Sequence, residues 1–127
     1  MSLQSPLGKV LGHGSAKDGT EHWWMQRVTA IALVPLTLWF LVALVGLDAT
    51  DYSAVTSWIA APLNAVLLIL LLVTLLNHSQ LGLQVVVEDY VHTHWLKVLT
   101  LMAFKFIHIG LGVAGAYAVI IISVGAS

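Results

Sequence analysis

Cysteine is absent from the chain. That excludes disulfides, thiolate chemistry and iron–sulfur clusters held by cysteines of this chain. It carries little information about compartment, because a bilayer protein needs no covalent staples. Charge is scarce as well: Asp, Glu, Lys and Arg make up only 9% of 127 residues, against roughly 25% in a soluble globular domain. A water-soluble fold is therefore excluded, and a formal net charge of −1 leaves no basic footprint for nucleic acid. The N-terminal stretch has no short apolar core followed by a small-residue cleavage site, so a cleavable signal peptide is not expected. It is not Arg-rich either, which favours a bacterial inner membrane over an imported mitochondrial protein.

What fills the chain instead is apolar. Hydrophobic residues reach 59% and the mean hydropathy is +0.94. Three long apolar runs, about 28–47, 62–87 and 98–124, account for the excess. At about 1.5 Å per residue each can cross a hydrocarbon core of about 30 Å. The expected fold is an all-α membrane protein: a polar N-terminal segment, 1–27, followed by a three-helix transmembrane anchor domain, 28–127. The segment ends in Glu21-His22-Trp23-Trp24-Met25-Gln26-Arg27, where paired tryptophans beside a cation suit the lipid headgroup layer. Pro35 is expected to kink the first span by removing a hydrogen bond to the carbonyl of Ile31. Pro62 suits the first turn of the second. Residues 48–58 and 88–97 read as short polar loops.

Basic residues set the expected orientation. Lys9, Lys17 and Arg27 precede the first span and Lys97 lies in the second loop, whereas the first loop and the C-terminus hold no lysine or arginine. The positive-inside rule puts the N-terminus in the cytoplasm and the C-terminus in the periplasm. No internal repeat is visible, and an odd number of spans argues against inverted halves.

The stretch richest in chemistry runs from His78 to Tyr90. His78 lies roughly 13 Å below the cytoplasmic end of the second span, and an ionisable residue inside a membrane helix is by default a functional hypothesis. Gly82 and Asp89 share its stripe, because eleven residues rotate a helix by three turns plus about 20°. The imidazole at this depth can hydrogen-bond a neighbouring helix or ligate haem iron. Gly82 fits either close helix packing beside Ser79 or a face cleared for a flat macrocycle. Glu88 and Asp89 stand at a helix C-terminus, where the macrodipole disfavours negative charge. Tyr90 reads as an interfacial aromatic or as a phenol that hydrogen-bonds a quinone carbonyl, with Asp89 and water supplying protons. Arg27, at the same level, fixes topology and is suited to pair with a carboxylate.

In the third span, His108 is expected at a depth close to that of His78. A bis-histidine haem bridging spans two and three is geometrically allowed, although packing or hydrogen bonding is the preferred role for His108. Lys105 can snorkel or pair with an acid. His13, His22, His92 and His94 are placed in or near water, and His92-Thr93-His94 reads as loop because no acid or cysteine completes a metal-binding set.

Taken together, these residues resemble the small hydrophobic membrane-anchor subunit of succinate dehydrogenase, respiratory complex II, of the D-type, cytochrome b-binding kind. The resemblance covers nearly the whole chain. It rests on Arg27-Val28-Thr29-Ala30 opening span one, on three spans in matching order, and above all on His78, Gly82 four residues on, and Asp89-Tyr90-Val91.

The resemblance implies that His78 is an axial ligand of haem b, with the second histidine coming from a large cytochrome b membrane subunit. It implies that Tyr90 contacts ubiquinone with Asp89 beside it, and that Arg27 lies near the haem propionates. It assigns nothing to Lys105, His108 or the Trp23-Trp24 pair. The implied function is that of a subunit not catalytic on its own, which anchors a flavoprotein and an iron–sulfur subunit to the bacterial inner membrane. There it would help electrons from succinate, a tricarboxylic acid cycle substrate, enter the respiratory chain at ubiquinone. The alternatives are a cofactor-free structural, assembly or transport subunit, in which His78 and His108 only tie helices together, and the anchor of a fumarate reductase.

Overall fold

The computed structural model describes residues 15–125, with side chains from Gly19 onward; the N-terminal positions before Ser15, including Lys9 and His13, lie outside the described residues, as does the side chain of Lys17. Four helices follow in order: α1 (Ser15–Gly46), α2 (Tyr52–Ala60), α3 (Pro62–Tyr90) and α4 (His94–Gly125). Three of them are long and apolar enough to cross a membrane: Gly19–Gly46, Pro62–Tyr90 and His94–Gly125. The shortest of these, 28 residues, reaches roughly 42 Å at 1.5 Å per residue. All three helices therefore exceed the hydrocarbon thickness and carry their polar ends into the interfaces.

The helices run further than the hydropathy suggests. Helix α1 begins at Ser15, so the tryptophan–arginine stretch is helical and continuous with the span, and Pro35 sits inside the helix without ending it. The second connection shrinks to three residues, 91–93, because α3 continues to Tyr90 and α4 starts at His94. Lys97 Nζ donates to the Glu88 carbonyl at 3.1 Å, which offsets the macrodipole conflict at this helix end. The tight turn makes α3 and α4 antiparallel neighbours.

The first connection contains a helix that its polar composition hides. Asp51 caps α2, its carboxylate accepting from Ser53 N–H at 2.9 Å. Just before it, the Thr50 hydroxyl and backbone N–H both donate to Asp48, at 2.7 and 3.1 Å, and hold its carboxyl below the ordinary carboxylate range. Ala61 is extended (φ −60°, ψ 126°), as expected of a residue before proline, and Pro62 opens α3. Trp58 stacks on Trp39 of α1 with ring centroids 5.6 Å apart, and its carbonyl accepts from Asn64 Nδ2 at 2.9 Å. These contacts fold α2 back against the spans.

Helix α3 is the centre of the fold. It packs against α1 on one side and α4 on the other, and among the described residues the backbones of α1 and α4 do not approach each other closely. The approach to α4 is close because two glycines permit it. A Cβ added at Gly112 would lie 3.3 Å from Leu76 Cδ1, and one at Gly115 only 2.5 Å from Leu72 Cδ2, the small-residue packing usual between membrane helices. Few side chains are shielded by these contacts: Ala65, Val87, Thr29 and His108 are buried, whereas Ile31, Val42, Val45 and Phe106 stand out in the open. So much exposed apolar surface requires lipid or protein around it. Two of the four buried residues are polar, and both make hydrogen bonds between helices.

Candidate functional site

The two intramembrane histidines are held in opposite directions from α3. His78 faces α1: its Nδ1 lies 3.0 Å from Thr29 Oγ1, a contact between residues 49 apart in sequence. The Thr29 hydroxyl also reaches back along its own helix, 2.7 Å from the Met25 carbonyl and 3.2 Å from that of Gln26. His78 Nε2 has no hydrogen-bond partner among the described residues.

The neighbouring residue, Ser79, faces α4 and meets His108, the bonds of which are fully assigned by chemistry. A carbonyl can only accept, so His108 Nδ1–H donates to the Phe104 carbonyl at 2.7 Å. Nε2 is then the acceptor, and Ser79 Oγ–H donates to it at 3.2 Å. Both ring nitrogens of His108 are engaged, and it is 9% exposed. The two histidines do not converge. A haem shared between them would require His108 Nε2 to give up its bond to Ser79, so the structure favours the hydrogen-bonding role for His108.

Gly82 lies one turn beyond His78, beside α1. A Cβ there would meet only Gln26 Nε2, at 3.9 Å, an ordinary contact. Its missing side chain is therefore not demanded by packing within this chain, unlike those of Gly112 and Gly115. Around it the α1 face is polar. Gln26 Oε1 and His22 Nε2 are buried without partners, and with Thr29 they recur at one helical period along α1. His22 thus differs from its expected place in water. The reason is that α1 is already helical there, and its period turns His22 onto the inner face. A polar row at positions 22, 26 and 29 was the signal available in the sequence.

At the helix end the picture is open. Tyr90 is 79% exposed, Asp89 is exposed beside it, and neither side chain has a hydrogen-bond partner among the described residues. Glu88 is engaged, accepting from Gln84 Nε2 at 2.9 Å. Arg27 is exposed with its Cζ 5.2 Å from the Trp23 ring centroid, a cation–π contact. Trp23 packs edge-on against Trp24, with centroids 5.3 Å apart. His92 Nδ1–H donates to the Tyr90 carbonyl at 3.0 Å, a loop-closing bond. Among the described residues no group of three or more His, Asp or Glu side chains comes together to hold a metal ion.

Fold and site together define a class: a multi-pass helical membrane subunit with an exposed apolar surface and unsatisfied imidazole nitrogens of His22 and His78 where α1 meets α3. Residues 1–122 match the family described as succinate dehydrogenase/fumarate reductase transmembrane subunit. The succinate dehydrogenase hydrophobic membrane anchor subunit of Rickettsia bellii is 37% identical over 107 residues, covering 84% of this chain and 86% of that one. The corresponding subunit of Paracoccus denitrificans is 27% identical over 90 residues (71% and 70%). The succinate dehydrogenase membrane anchor subunit of Reclinomonas americana is 30% identical over 109 residues (80% and 87%). The chain belongs to the succinate dehydrogenase/fumarate reductase transmembrane subunit family. Its three apolar helices and its bacterial relatives fit a multi-pass protein of the inner membrane.

Proposed function

We propose that the chain is the D-type, cytochrome b-binding anchor subunit of a succinate:ubiquinone oxidoreductase, with its N-terminus cytoplasmic and its C-terminus periplasmic. It holds a flavoprotein and an iron–sulfur subunit at the cytoplasmic face, and it packs with a large cytochrome b membrane subunit. The observation that carries the reading is the contrast between its two intramembrane histidines. His108 has both nitrogens bonded, while His78 has only Nδ1 bonded and stands next to a glycine with room beside it.

Those residues fit haem b. His78 Nε2 would hold the iron together with a residue of the partner membrane subunit, and Gly82 would leave the adjacent helix face bare for the macrocycle. When bound, the haem supplies a one-electron redox centre inside the bilayer, the potential of which is tuned by its ligands and surroundings. Arg27 retains its in-plane N–H donors despite stacking on Trp23, so it can pair with a propionate carboxylate. At the wet end of α3, the Tyr90 O–H donates to a ubiquinone carbonyl oxygen, and Asp89 with water delivers protons. Reducing the quinone to quinol takes two electrons from succinate and two protons from the aqueous side, which is why a protonatable group must stand within reach of water.

The test is what accompanies the chain when it is purified by affinity tag from its own membranes in mild detergent. A flavoprotein, an iron–sulfur protein, a second hydrophobic subunit and a b-type absorbance are expected. Isolation of the chain with none of these would reject the reading.

A further inference from the structure

We infer that Thr29 is a positioning residue for His78: through its hydroxyl it fixes both the tautomer and the rotation of the imidazole, leaving Nε2 as a lone-pair donor. The inference rests on the haem-ligand reading of His78.

A threonine hydroxyl has one proton to give. The Met25 carbonyl, 2.7 Å away, can only accept, and two acceptor oxygens at that distance require a hydrogen between them. The proton of Thr29 is therefore directed back along α1. Toward His78 the hydroxyl then presents a lone pair, and the 3.0 Å contact is made by His78 Nδ1–H donating to Thr29 Oγ1. A neutral imidazole protonated at Nδ1 has its free lone pair at Nε2. The carbonyl of one helix, acting through a hydroxyl, thus selects the ligand-competent tautomer on another.

Burial makes the arrangement firm. Thr29 is 6% exposed, and water has little access to compete for its oxygen. The contact also joins α1 to α3 at the depth of the ligand, so ring rotation is tied to helix packing. A histidine ligand that donates its other N–H is the more basic for it, and loss of such a partner typically lowers metal affinity 10–100-fold. A more basic ligand favours ferric over ferrous iron. Removing the acceptor should therefore weaken haem retention and raise the midpoint potential.

The experiment uses the assembled complex in its membrane with four variants: Thr29→Val, Thr29→Ala, Thr29→Ser and His78→Ala. Haem per flavin, the reduced b-type band and the potentiometric midpoint are read for each. Thr29→Val and Thr29→Ala are expected to lose haem affinity 10–100-fold. Their midpoint should rise by about 59 mV for each tenfold by which ferric binding weakens beyond ferrous. Thr29→Ser should restore wild-type values, because it keeps the hydroxyl and loses only a methyl group.

Wild-type occupancy and potential in both hydroxyl-free variants would overturn the inference, as would a Thr29→Ser complex as defective as Thr29→Val. Thr29→Ala keeps the test open if Thr29→Val fails to assemble. His78→Ala separates the two claims. If it keeps a normal haem, the ligand reading itself fails. If it loses haem while the hydroxyl-free Thr29 variants match wild type, only the role of Thr29 is rejected.

Discussion

The glycines of α3 and α4 allow a paired test of which close approaches belong to the chain and which await a partner. Gly115→Ala would place a methyl carbon 2.5 Å from Leu72 Cδ2, with Cδ1 and Cγ at 3.4 and 3.5 Å. Carbon atoms prefer about 3.5–4.0 Å, so the flexible end of Leu72 must leave its rotamer, at about 0.5–1.5 kcal/mol. Gly82→Ala would place the same methyl 3.9 Å from Gln26 Nε2, where nothing has to shift. Both changes gain about 1 kcal/mol of helix propensity, and this gain cancels in the comparison. Gly115→Ala should thus be less stable than Gly82→Ala by about 0.5–1.5 kcal/mol, read as the midpoint of unfolding of the isolated chain in mixed micelles titrated with a denaturing detergent. In the assembled complex the order should reverse for haem: Gly82→Ala should lower haem occupancy while leaving helix content untouched. Equal stability of the two variants, or a Gly82→Ala chain as weak as Gly115→Ala, would refute the packing argument.

Other predictions follow from the same contacts. Tyr90→Phe should impair quinone reduction and leave succinate oxidation by an artificial acceptor intact; equal loss of both would point to failed assembly instead. Ser79→Ala removes the donor to His108 Nε2 and should destabilise the chain by about 0.6 kcal/mol, at most about 1.7, in the same detergent titration, without altering the haem spectrum. Thr50→Val removes the hydroxyl that leads in depressing the Asp48 carboxyl, so the carboxyl carbon of Asp48 in the isotope-labelled chain should titrate at higher pH by NMR. Because the folded value is lowered, this turn gains from ionised Asp48 above the carboxyl's unfolded value and loses that gain as the pH falls through the folded one.

The three spans were legible because hydropathy is summed over neighbouring residues, so no tertiary information is needed to find them. Their ends were not: Glu21 to Arg27 and Glu88 to Tyr90 are polar, yet α1 and α3 run through them, since an interface tolerates a polar helix as well as a polar loop. Helix α2 reads as loop in the sequence because its anchorage is tertiary, supplied by Trp39 and Asn64. Only Asp51 and Pro62 marked its limits. At the site, His78 stood out by type and depth, and the similar depth of His108 was also visible. What depth cannot show is azimuth: Thr29 and Ser79 turn the two histidines toward different helices. Thr29 was seen only as part of a short motif, because a bond across 49 residues leaves no local trace. The inward turn of His22 was missed for the same reason, although the row it makes with Gln26 and Thr29 has the period of a helix.

Haem binding by this chain depends on an unpaired imidazole nitrogen of His78 meeting iron within the bilayer, and one spectrum addresses that directly. The reduced-minus-oxidised difference spectrum of the purified complex should show a b-type band with the native chain and lose or shift it with His78→Ala, while the His108→Ala complex keeps it. A band of unchanged position and height in the His78→Ala complex would contradict the central claim.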